Sequence, residues 1–432
     1  MTDTDSDAID FDATDFFRAT ELYQDPYDYY EYVRSHGPVW REPHRGVVMV
    51  TGFEEVMSVY NDAEVFSSCN TVAGPWTKFP VPLEGDDISA IIDEYRDTLP
   101  FSDQLPSFDP PMHTEQRGLL LRLITPKRLK ENEEFMWRLA DRQIDEFIER
   151  GECEFLRDYA NPFTLIVIAD LLGVPEAEHD TFRQELQEDK RAHQPAADKK
   201  LGPVAHKPLE FLYERFTAYI EECRRSPRAD VMTGLATATF PDGSLPPVRD
   251  VALIAANLFS AGGETTARLL GSAMQLIGER PELQELLRAE PDRIPAFIEE
   301  TVRFESPIQG EFRLARVTTK IGDVEIPAGT NVMVHNGAAN RDPRQFEAPN
   351  EFRLDRSDGR MHLGFGFGIH TCVGAPLARA EARASLVRLL ARLTDIKISE
   401  REHGPADARR YEYSPTYMLR GLERLNLEFT AS

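Results

Sequence analysis

Apolar residues recur at helical spacing along several stretches of this 432-residue chain, and the longest such run extends from about Val251 to Glu279. A second helical pattern begins just beyond Cys372, with Pro376 suited to its first turn. Another starts behind Asp109-Pro110-Pro111, and a fourth, between the long run and Cys372, carries Glu300 and Arg303. Nowhere do about 18 apolar residues follow one another, the length a membrane span needs. The N-terminus, Met1 to Asp15, is rich in aspartate and has no apolar run, so it reads as neither signal peptide nor anchor. No Ser/Gly-rich linker or internal repeat divides the chain, and 41% apolar content is enough for a sizeable core. Two segments break the helical rhythm. Cys69 to Pro111 carries prolines, Trp76, Phe79, Tyr95 and Phe101 among charges, and is too long for a simple connection. About Glu185 to Leu212 is charged, contains Pro195, Pro203 and Pro208, and reads as a lid joining two helices.

Cys372 carries the most specific chemistry. It lies in Phe365-Gly366-Phe367-Gly368-Ile369-His370-Thr371-Cys372-Val373-Gly374, a single cysteine with glycines on both sides. Glycine tolerates positive φ and lets backbone come close to a flat ligand or a sulfur atom. The N–H groups and positive dipole end of the following helix favour a thiolate over a thiol. A lone, shielded thiolate is what a haem iron needs as proximal ligand for oxygen activation. The same residues also admit a buried structural cysteine, or a zinc site from His362, His370 and Cys372. Zinc would call for paired Cys-x-x-Cys or His-x-x-x-His spacing, which the chain lacks. The whole decapeptide resembles the haem-ligand loop of the cytochrome P450 family. That resemblance makes Cys372 the axial ligand of the iron and sets Phe365, Gly366 and Gly374 against the cofactor.

Ala261-Gly262-Gly263-Glu264-Thr265-Thr266 lies inside the long helical run. Glycine in a helix interior costs about 1 kcal/mol against alanine, so two in succession need a reason. Either they open room for a diatomic ligand above a cofactor, or they let a neighbouring helix pack closely. Glu264 and Thr265, an acid followed by an alcohol, offer a proton path to that room. The segment resembles the oxygen-binding stretch of the P450 distal helix. By that resemblance Glu264 and Thr265 are catalytic, and Ala261 and Gly262 lie beside the haem.

Glu300-x-x-Arg303 says little alone, because Glu31/Arg34 and other pairs share its spacing. In the family, a buried pair sits between the distal helix and the cysteine loop, where Glu300 and Arg303 fall. Arg356 matches that pair's arginine partner, which implies a structural role for all three. His113 and Arg117 share one helical face. With Arg313 and His370, each matches a family position that binds a haem propionate, a carboxylate whose burial requires cations.

Net charge is −25, which argues against a nucleic-acid partner. Against that background Arg117, Arg122, Lys127, Arg128 and Lys130 form a run without an acid. It is either a solvated helix face or a docking site for an acidic electron carrier. Four scattered cysteines (Cys69, Cys153, Cys223, Cys372) make no disulfide framework and fit a reducing cytosol.

Length alone suggests two or three domains. The resemblance implies instead one P450 domain over residues 21–432, mainly α with a smaller β-rich portion, behind a flexible acidic segment over residues 1–20. Without an anchor the chain is similar to the soluble bacterial members, cytoplasmic, monomeric and off the membrane. It implies haem b (iron protoporphyrin IX) and a monooxygenase that inserts one oxygen atom from O2 into a C–H bond. The substrate expected is a medium-sized hydrophobic molecule: a terpenoid, steroid, fatty acid or aromatic compound. Trp76, Phe79, Phe101, Asn257, Ala261, Ile308 and Gln309 are its candidate contacts. Electrons would come from a separate ferredoxin and ferredoxin reductase, since the chain has no flavin or iron–sulfur domain. The same scaffold could run on peroxide, against which the intact Glu264–Thr265 pair argues, or bind haem or ligand without turnover.

Overall fold

Caps and prolines set where the long helices begin. Thr125 caps the helix Pro126–Asp145, its hydroxyl accepting from the Arg128 N–H, and Pro126 fills a first-turn position that needs no N–H partner. Pro247 precedes the 32-residue helix Val248–Glu279, which is about 48 Å long at the α-helical rise. Pro281 opens the next helix, Pro281–Ala289. This computed structural model describes residues 9–122, 124–179, 181–182, 207–228, 231–240 and 242–432. Residues 185–206, most of the lid expected over 185–212, lie outside the described residues.

The 32-residue helix is the spine of the fold. It packs against Lys207–Arg225, Asn161–Leu171, Ile294–Phe304 and Ala375–Arg392, and is apolar enough to be buried along both its halves. One apolar cluster runs from Leu119 to Phe429, while the N-terminal aromatics pack in a cluster of their own.

Short strands make up the smaller portion. A five-stranded sheet runs in the order Val39–Arg41, Val48–Val50, Asn331–Val334, Glu311–Ala315, Phe66–Ser67. Only Val48–Val50 and Asn331–Val334 are parallel within it. Along Glu311–Ala315 the side chains alternate. Phe312 joins the N-terminal aromatic cluster and Leu314 packs with Ile88 and Ile92, so Arg313 between them points to the opposite side.

Two expectations change here. Phe16 and Phe17, inside the segment expected to be flexible up to residue 20, are each only 1% exposed. Phe16 stacks on Tyr29 with ring centres 4.8 Å apart, and burying such a ring stabilises by about 1.5–3 kcal/mol, enough to hold an acidic stretch down. The 69–111 segment, which breaks the helical rhythm in sequence, holds a short helix after all: Ser89–Tyr95 is helical, and Ile88 and Ile92 anchor it to the sheet. No helix among the described residues is long and apolar enough to cross a membrane.

Candidate active site

Two left-handed glycines fold the loop that carries Cys372. Gly366 and Gly368 have φ of 66° and 68°, and any side chain at 368 would also collide with the Tyr60 carbonyl. The Cys372 N–H then donates to the Phe365 carbonyl at 2.8 Å, and the helix Ala375–Arg392 follows at once. Burial pushes the Cys372 thiol up, while the N–H groups of Gly374 and Ala375 and the Arg117 guanidinium act in the opposite direction. The side chain nonetheless keeps open surface. A sulfur enclosed by protein yet bordering free space is placed as a ligand to a bound group must be.

Four basic side chains gather at this loop from separate segments. His113 and Arg117 sit one turn apart on the helix Met112–Leu121, and Arg117 donates to the Thr371 carbonyl at 2.5 Å. The His113 ring lies 4.1 Å from that of His370, whose Nε2 is 3.0 Å from the Ser68 hydroxyl. Arg313 reaches in from the sheet, bonded to the Thr71 hydroxyl at 2.5 Å and lying 5.3 Å from the Tyr60 ring centre. Asp109 fixes the corner before His113 by accepting from the Ser68 N–H at 2.8 Å and Arg316 at 2.6 Å. Sequence reading missed this acid, although it opens the Asp-Pro-Pro turn.

The electrostatics of this group are incomplete. Burial first, then Arg117 and Arg313, pushes His113 down to about 4. Burial and the same cations, with His113, push His370 down to about 2. Among the described residues, Glu311 is the only carboxylate paired with Arg313, at 3.3 Å, and His113 Nε2 is buried without a hydrogen-bond partner. An anionic group with acceptor oxygens would relieve both deficits. The two propionates of haem b are such a group, so the residues fit it.

On the helix Val248–Glu279, Ala261 and Glu264 are exposed although the helix is buried before and after them. This stretch therefore also borders free space. The Thr265 hydroxyl donates to the Ala261 carbonyl at 2.9 Å. Glu264 accepts from Arg268 at 2.6 Å; Arg268 also donates to Ser414 at 2.8 Å, and Ser414 to Glu423. Arg268 escaped the sequence reading, though its i+4 spacing from Glu264 was a usable signal. Gly262 changes meaning. A β-carbon there would meet Ile168 at 3.3 Å, whereas at Gly263 it would meet nothing within 4 Å. The room expected above a cofactor from Gly262 goes to a neighbouring helix instead.

Glu300 accepts from Arg303 at 2.7 and 2.8 Å and from Arg356 at 2.9 Å, all buried. Of the substrate candidates, Asn257 and Ile308 are half-buried. Gln309 does not face open space: it is 2% exposed, accepts from Tyr30 at 2.9 Å and donates to the Ser306 carbonyl at 2.8 Å. Trp76 is on the surface, bonded to the Tyr417 hydroxyl with Arg45 over its ring. Phe79 packs against the Ile88 cluster, and Phe101 is buried. In the basic run, Arg122 donates to the Thr239 carbonyl and Arg128 to the Arg122 carbonyl, while Lys127 and Lys130 stay exposed.

The family described as Cytochrome P450 matches residues 206–409. Cytochrome P450 144 of Mycobacterium tuberculosis is 35% identical over 434 residues, covering 96% of this chain and 91% of the relative. The structure of Mycobacterium marinum cytochrome P450 CYP150A6 in the substrate-free form superposes with a TM-score of 0.92 at 51% identity, over 98% of this chain and 100% of that one. CYP109E1 from Bacillus megaterium in complex with testosterone gives 0.76 at 26% identity, over 93% and 99%. With likeness spanning both chains nearly end to end, the chain belongs to the cytochrome P450 family, whose members are monooxygenases built on haem b.

Proposed function

We propose that this P450 hydroxylates a medium-sized hydrophobic molecule, using O2 and electrons from a separate ferredoxin and its reductase. The observation that carries the site assignment is the convergence of His113, Arg117, Arg313 and His370 on the Cys372 loop. Haem b, when bound, supplies the oxygen activation. Cys372 Sγ is its iron ligand in this reading, and the four basic groups hold its propionates. Arg117 does two jobs, since its bond to the Thr371 carbonyl also braces the residue next to the thiolate. Glu300, Arg303 and Arg356 brace the chain that leads into the loop.

At rest, Thr265 keeps its proton on the Ala261 carbonyl and Glu264 keeps its carboxylate on Arg268. Glu264, with 45% of its side chain exposed, is placed to take protons from solvent. To pass one inward, the carboxylate must turn away from Arg268 and the Thr265 hydroxyl must leave its helix bond. Asn257 and Ala261, one turn apart, would orient the substrate, with Ile308 as an apolar neighbour. The steroid in the Bacillus megaterium complex is one member of the class proposed, beside terpenoids, fatty acids and small aromatics. Lys127 and Lys130 offer an acidic carrier its cationic contact.

Optical titration of the ferric holoprotein with a panel of these four classes tests the reading. One class should move the spectrum from low to high spin, and that compound should be hydroxylated with reduced ferredoxin. Product with hydrogen peroxide but none with reduced ferredoxin would replace the monooxygenase cycle by a peroxygenase one.

A further inference from the structure

Glu299 and Arg379 form a half-buried ion pair close to the cysteine loop, separate from the Glu300 cluster. Glu299 is 6% exposed and takes Arg379 bidentately, at 2.6 Å and 2.8 Å. The same carboxylate lies 3.0 Å from His362 Nε2, and His362 Nδ1 accepts from the Gly364 N–H at 3.2 Å. Both partners of Glu299 then meet one ring. The Arg379 guanidinium sits 4.4 Å from the centre of Phe365, and the His362 ring 5.7 Å from it. Phe365 is the residue whose carbonyl accepts the Cys372 N–H. The pair also opens outward, onto a surface cavity of about 510 Å³ lined by Glu299, Arg360, Arg379 and Arg383. The Arg379 side chain is 39% exposed.

We infer that Glu299 and Arg379 are positioning residues that set the ferric–ferrous potential of iron held at Cys372, acting as a balanced charge pair across Phe365. This rests on reading Cys372 as the iron ligand. Reduction lowers the charge at the iron by one, so a nearby cation favours the ferrous state and a nearby anion the ferric state. Intact, the pair nearly cancels itself. Deleting one member leaves the other uncompensated in a partly buried place, where screening by salt is weak.

Three variants, loaded with haem b and titrated with dithionite against dye mediators at pH 8, test this. At the wild-type midpoint potential, Glu299→Gln should hold at least twofold more ferrous than ferric iron. Arg379→Gln should hold at least twofold more ferric iron. Arg379→Lys, which keeps the charge, should stay within twofold of unity. Opposite signs are the signature, because a merely structural role would loosen Phe365 in both Gln variants and move them the same way. Shifts of one sign, no shift, or loss of haem from all three variants would overturn the inference. If wild-type protein lacked a thiolate-type ferrous–CO spectrum, the Cys372 assignment itself would fall instead.

Discussion

Arg303→Lys keeps the charge at the centre of the Glu300 cluster and removes its shape. Arg303 is 0% exposed and makes five hydrogen bonds. Two go to Glu300, and one each to the carbonyls of Asn340 at 2.8 Å, Pro349 at 2.9 Å and Glu351 at 3.0 Å. A lysine has at most three donors, on a point charge instead of a planar fork. At least two of the five contacts are therefore lost. Each buried polar group left unmatched costs about 1–3 kcal/mol, so the variant should lose roughly 2–6 kcal/mol, a large part of the stability of about 5–15 kcal/mol that folded domains have. The damage should centre on residues 340–356, where Arg356 holds the carbonyls of Glu347, Ala348 and Glu351 from the other side of Glu300. Urea unfolding followed by far-UV circular dichroism should show a lower midpoint with little change in slope. An unchanged midpoint would mean that the carbonyls find other partners, and that the fork of Arg303 does not order this stretch.

Cys372→Ser should remove the thiolate signature of the ferrous–CO spectrum and abolish hydroxylation; a retained signature would move the iron ligand elsewhere. Thr265→Ala should leave substrate binding intact, as read by the spin-state titration, and divert electrons to hydrogen peroxide; unchanged coupling, measured as product per reducing equivalent, would take Thr265 out of the proton path. Acid should destabilise the apoprotein through His335, which burial and then Arg34 push down from 6.5 to about 3. Between those values the unfolded chain binds more protons than the folded one, so stability falls as pH falls, by about 1.4 kcal/mol per unit. The loss at pH 4.5 is roughly 2–3 kcal/mol by that slope. His335→Phe should flatten this limb between about pH 6 and pH 4, and identical limbs in both proteins would show that His335 stays neutral in neither state.

What the sequence exposes is what the backbone demands locally. Gly366 and Gly368 are legible because their left-handed φ admits little else, and the 32-residue helix because its period repeats over many turns. Pairings across the chain leave no such trace. Glu299 and Arg379 are 80 residues apart, and nothing around either marks the other. Gln309 reads as a polar residue near a pocket, yet its amide partner Tyr30 is 279 residues away. Gly262-Gly263 is symmetric as text, and only Ile168, arriving from another helix, makes one glycine a packing residue and leaves the other open. The acidic N-terminus misleads for a related reason: composition averages over a segment, whereas two adjacent rings, Phe16 and Phe17, decide whether it is held.

The basic cluster joins these two cases. His113, Arg117, Arg313 and His370 each sit in a segment where a charged or titratable residue needs no explanation. Only their convergence creates the anomaly, two histidines driven far below their ordinary range beside two guanidiniums, with one ring nitrogen buried and unpartnered. A fold that brings two guanidiniums together against histidines held neutral is unfavourable unless something negative enters. Arg117 and Arg313, proposed above to hold the propionates, should therefore destabilise the protein without haem. Replacing Arg117 by Met should then cost the holoprotein stability while costing the apoprotein little or none. Paired urea midpoints of the two forms would decide it, and an equal loss in both would show that Arg117 matters only for its bond to the Thr371 carbonyl.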